Sequence, residues 1–93
     1  MRTNEKEAIM QSVLFVFAGR GAAMALYDKC LSTGIRADVV NSPRELSASC
    51  GIAVRVRPAD YRKVLAIAAR MAAYVGAYLV QSTLGNRLVR RLD

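Results

Sequence analysis

The chain has 93 residues, 54% of them apolar, a net charge of +7, and neither histidine nor tryptophan. That length holds one domain around one modest core, and the composition is that of a globular chain. The missing histidine excludes the Ser-His-Asp triad, the Cys-His nucleophile pair and most zinc sites.

Residues 1–11 are polar and are expected to be a flexible N-terminus. They include Glu5 and Glu7 and lead into no signal-like apolar core. A cytoplasmic setting with reduced thiols is therefore expected. Ser12-Val13-Leu14-Phe15-Val16-Phe17-Ala18 is a β-branched and aromatic run that predicts a central strand, buried on both faces. Gly19-Arg20-Gly21 breaks it. These glycines invite a phosphate-binding reading, with Asp38 near the spacing of a ribose-binding acid. Met24 stands at the third glycine position, however, and the chain is too short for a dinucleotide fold, so a tight strand-to-helix turn is the better reading.

From Ala22 to Thr33 the period changes to that of a helix. Ala23, Leu26, Tyr27, Cys30 and Leu31 share one face, and Gly34 is placed as its C-terminal cap. Cys30 on that face reads as a small core residue. Arg36 to Asn41 predicts a second strand, ended by Pro43. Gly51 to Arg57 alternates, with Ile52, Val54 and Val56 on one side and Ala53, Arg55 and Arg57 on the other, as in a half-exposed strand with a basic outer face.

Pro58-Ala59-Asp60 opens a second helix whose apolar stripe is Tyr61, Val64, Leu65, Ala68, Met71 and Ala72. Tyr74 to Val80 reads as the last strand. The stretch Val64 to Gln81 has about the length of a membrane span, but Arg70 near its centre and Gly76 in its second half argue against one. The basic tail, residues 82–93, is expected to be a short exposed helix through Leu84, Leu88 and Leu92. The four tyrosines, Tyr27, Tyr61, Tyr74 and Tyr78, fit as packing groups with a polar tip. The resulting order, β-α-β-β-α-β, predicts an α+β domain over residues 12–81. Its architecture is ferredoxin-like: a four-stranded, mostly antiparallel sheet with two helices on one face.

The segment from Asn41 to Val56 carries the chemistry. It places Cys50 where a turn-rich loop meets a strand, a setting in which a thiol can be reached and tuned. Arg44 and Arg55 are the nearest cations in sequence. Ser47 and Ser49 can donate hydrogen bonds to a sulfur anion, and Gly51 lets a partner approach the backbone. From these residues alone, a reactive thiol and a structural turn cysteine both stay open.

Pro43-Arg44-Glu45-Leu46-Ser47-Ala48-Ser49-Cys50-Gly51-Ile52-Ala53-Val54-Arg55 closely resembles the signature of a family of small bacterial proteins, the selenium/sulfur carrier-like proteins. Gly34-Ile35 and the Pro58-Ala59-Asp60 helix start extend the resemblance, which covers roughly residues 13–80. It implies a carrier, not an enzyme, in which Cys50 accepts sulfur or selenium as a persulfide or perselenide. Arg44 would steady the anionic terminal atom, and Glu45 would orient Arg44 or bind a partner. The implied partners are a desulfurase-like donor and an acceptor protein. No metal or organic cofactor is implied, and the oligomeric state is left open, a homodimer included. The basic tail lies beyond the usual domain and is a candidate docking or oligomer element.

Two other classes of function compete. Eleven arginines make a basic interaction or regulatory module for an acidic protein or nucleic acid a second reading. No basic run exceeds Arg90-Arg91 and no aromatic is interleaved, so nucleic acid is not favoured. A thiol-redox sensor pairing Cys50 with Cys30 is the third.

Overall fold

The computed structural model describes residues 10–46 and 48–93; the expected flexible segment 1–11 falls largely outside them. The chain order is β1 (Met10–Phe17), α1 (Arg20–Ser32), β2 (Ala37–Asn41), β3 (Ile52–Val56), a 3₁₀ turn (Pro58–Asp60), α2 (Tyr61–Ala68), β4 (Tyr74–Thr83) and β5 (Asn86–Arg91). The strands form one sheet in the order β2-β3-β1-β4-β5, with every pair antiparallel. In it β3 lies between β1 and β2, and β1 between β3 and β4, so two β-α-β units interleave.

The apolar run of β1 explains its central place. Val13 to Phe17 are all buried, with alternate side chains on opposite faces of the sheet. Val13, Phe15 and Phe17 join Val54, Val56 and Ala77 against both helices, through Ala23, Leu26 and Cys30 of α1 and Val64 and Ala68 of α2. Phe15 stacks near Tyr61, and Phe17 meets Tyr74 edge-on. Leu14 and Val16 face the other way. With Ala53 and Val80 they form a second, smaller cluster that no helix covers; Leu46, from the loop between β2 and β3, packs on it instead.

The expected two helices on one face are present, but the sheet has five strands, not four. The segment expected as an exposed helix, residues 82–93, is instead the turn and second strand of a hairpin. Thr83-Leu84-Gly85-Asn86 reverses the chain with Gly85 at φ 81°, a conformation that suits glycine. A spacing of four residues between Leu84, Leu88 and Leu92 fits a strand's period of two as well as a helical turn. Pairing with β4 decides between them.

The second helix is also shorter than expected. It ends at Ala68, and the chain turns through Ala73, a non-glycine residue at φ 66°. The carbonyl of Ala73 accepts the amide of Ala18, which holds this turn against the end of β1. Among the described residues no helix is long and apolar enough to cross a membrane.

Candidate functional site

Residues 42–51 form a closed loop between β2 and β3. Its ends meet where the Ser42 amide donates to the Gly51 carbonyl at 3.0 Å, the signature of a compact loop whose ends lie together. Ser42 and Ser49 hydroxyls are 2.6 Å apart, and the Gly51 amide donates to Ser49 Oγ at 2.9 Å. Gly51 has φ 101°, so the turn after Cys50 needs a residue without a Cβ. Pro43 is buried, and inside the loop the Leu46 amide donates to the Pro43 carbonyl and the Ser49 amide to the Leu46 carbonyl.

Cys50 is half-buried and packs against the edge of the helix-side core. Its amide donates to the Phe17 carbonyl at 3.0 Å, and its thiol lies 3.7 Å from the Ile52 carbonyl, to which it donates. The thiol's backbone is thus fixed beside the last residue of β1. Gly19, the N-cap of α1, is two residues further on, and the first turn of α1 has neither a capping side chain nor an acidic residue.

The structure distributes the other sequence-derived candidates unevenly. Ser49 is in the loop's hydrogen-bond network and donates to the Ile52 carbonyl at 3.5 Å. Ser47 lies outside the described residues. Arg44 is exposed at the loop surface. Arg55 lies three residues along β3 from Ile52, about 10 Å further on, and its guanidinium pairs with Asp38 at 2.9 Å.

Glu45 turns away from Arg44's expected partnership and pairs with Arg87 of β5 at 3.0 Å. A hydrogen bond from its own amide, with the Arg87 charge, holds the Glu45 carboxyl below the usual range. Three residues that fix this loop, Leu46, Ser42 and Arg87 of β5, were not among the sequence-derived candidates. Leu46, an apolar residue in a polar loop, signals an anchor. Ser42 and Arg87 give no such signal, because their roles depend on pairings between distant segments.

The second thiol is differently placed. Cys30 is fully buried, ten residues along α1 from Arg20, or about 15 Å from the end near Cys50. That separation is far beyond the Cα reach of a disulfide, and both thiols are free. Burial, with the Asp60 carboxylate nearby, pushes the Cys30 thiol up.

Two of the three arginines on the basic face are paired with acids. A cavity of about 360 Å³ on the open side of the sheet is lined by Arg36, Arg55 and Arg57, with Asp38, Ser12 and Ser82 among its other walls. Arg55 is held by Asp38, and Arg57 by the buried Asp60 at 3.1 Å. Among the described residues no cluster of three or more potential metal ligands occurs.

Residues 12–76 match the family model described as "Putative Se/S carrier protein-like". The match covers more than half of the 93 residues and includes the whole Cys50 loop. The chain belongs to that family. No curated protein and no solved structure matches it significantly.

Proposed function

We propose that the protein is a carrier of reactive sulfur or selenium, held on Cys50, with the family's name as the first support. The observation that carries the reading is the contrast between its two thiols. Cys50 is half-buried at the end of a loop inside the matched segment, whereas Cys30 is sealed in the core. A carried atom must be reached by both a donor and an acceptor, and only Cys50 offers that access.

The chemistry needs no net oxidant. The Cys50 thiolate attacks the outer sulfur of a donor persulfide, a bond forms between the two sulfurs, and the donor's inner sulfur leaves as a thiolate. Discharge reverses the roles: an acceptor thiolate attacks the outer atom and Cys50 leaves. A perselenide transfers selenium by the same steps. Arg44, exposed on the same loop, is the candidate counter-ion for the terminal anion. Gly51 supplies the turn, and Ser47 and Ser49 are candidate hydrogen-bond donors to the sulfur or selenium anion. Arg55 serves the sheet face and not the thiol. The donor is a desulfurase-like protein and the working compartment is the cytoplasm, where thiols stay reduced. The core reads as a ferredoxin-like sheet extended by one edge strand.

Intact-mass measurement after incubation with a cysteine desulfurase and cysteine tests this. The wild type is expected to gain one reducible sulfur and Cys50→Ser none. An adduct that persists in Cys50→Ser would move the carrier site elsewhere.

A further inference from the structure

The loop that bears Cys50 leaves β2 and returns to β3, at one side of the sheet, yet its acidic residue is bonded to the strand at the opposite edge. Glu45 Oε1 lies 3.0 Å from Arg87 Nη2, and Oε2 lies 3.4 Å from the same nitrogen. In the order β2-β3-β1-β4-β5, that contact spans the open face. Leu46, the next residue, fills the space between, packed on the cluster of Leu14, Val16, Ala53 and Val80. The loop is thus tied down at its ends by Ser42–Gly51 and Cys50–Phe17, in its middle by Leu46, and at its far side by Glu45.

We infer that Arg87 is a positioning residue for Cys50: from β5 it holds, through Glu45, the thiol-bearing loop against the open face of the sheet. The inference rests on the reading of Cys50 as the working thiol. Arg87 lies beyond the matched residues 12–76, so this anchor comes from a part of the chain outside the family's common segment. Both partners are about half exposed, 47% for Arg87 and 52% for Glu45. Such a pair is weak and screened by salt, which suits a contact that must yield when a donor or acceptor engages the loop.

The test compares wild type with Arg87→Ala, Glu45→Gln and the swapped pair E45R/R87E. Amide hydrogen exchange over residues 44–50 and the alkylation rate of Cys50 by iodoacetamide are read by peptide mass. Arg87→Ala and Glu45→Gln are expected to speed both by about two- to fivefold, the scale on which an exposed ion pair biases a local opening. Their thermal midpoints should stay near wild type, and the swapped pair should restore the slow rates. Raising salt to the molar range should speed the wild type and leave Arg87→Ala unchanged. Unchanged exchange and alkylation in Arg87→Ala, or no recovery in the swap, would overturn the inference. These readouts need no sulfur loading, so failure of Cys50 to load would sink the carrier reading while leaving the loop anchor standing or falling on its own.

Discussion

Cys50 is held by its backbone, and its neighbour Gly51 makes that possible. At φ 101° a Cβ meets no atom within 4 Å, so any cost of a larger residue there is conformational and not steric. Gly51→Ala is expected to lose about 1–3 kcal/mol by chemical denaturation and to loosen the Cys50 amide from the Phe17 carbonyl, seen as faster exchange at that amide. A substitution that leaves both unchanged would show that the turn adapts. Cys30 gives the opposite expectation. Buried in α1 with its thiol pushed up, it should resist alkylation in the folded protein at a pH where Cys50 reacts, and mass mapping of the modified peptides checks this.

At the scale of elements, the strands carry most of the specification. Phe15 is fully buried at the centre of β1, between β3 and β4 and under α2. Phe15→Ala should cost about 3–5 kcal/mol of unfolding free energy, against little for a change at exposed Leu88.

The run from Val13 to Phe17 and the alternation from Ile52 to Val56 make the central strands legible in the sequence, because burial on two faces and on one face leave different patterns. The first helix is legible from Ala23, Leu26 and Cys30 and from Gly34, although Leu31, expected on the same face, is exposed because it lies at the edge of the buried stripe in the last turn. Two ends were not. Met71-Ala72-Ala73 contains no glycine or proline, so nothing in it marks the stop that follows Ala68; Ala73 takes a left-handed conformation that its type does not advertise. Gly85-Asn86 does mark a turn, but the leucine spacing around it fits two periods, and only the β4 edge favours a strand. The thiol loop was legible as a segment. Its anchoring was not, because Glu45 meets Arg87 only once β5 exists.

Across the whole molecule, pH should act at both ends of the scale. The Cys30 thiol is raised by burial and by Asp60, and the Tyr74 hydroxyl is raised by burial and by its hydrogen bond to Asp93. A group raised on folding stays protonated in the native state while the unfolded chain ionises. Its contribution is therefore intact below the unfolded pKa, about 8.5 for a thiol, and is lost as pH climbs through the range up to the folded value. The acids Glu45 and Asp93 are lowered on folding: Glu45 by its own amide and Arg87, and Asp93 because the Ala77 amide, Tyr74 and Arg91 outweigh its burial. Their contribution is present above the unfolded carboxylate range, about pH 4, and is lost as pH falls from there through the lower folded values. The thermal midpoint should therefore be flat between about pH 5 and 8 and fall on either side. Cys30→Ala should soften the alkaline fall, and an alkaline limb identical to wild type would assign that loss to Tyr74 alone.

The carrier account requires that Cys50 both take an atom and give it up. The most direct measurement loads the protein with isotope-labelled sulfur from a desulfurase, removes the donor, and follows the label by intact mass after adding a thiol acceptor. The account predicts a Cys50-dependent adduct that leaves the protein and appears on the acceptor in equal amount. Label that never binds Cys50, or binds and cannot be passed on, would contradict it.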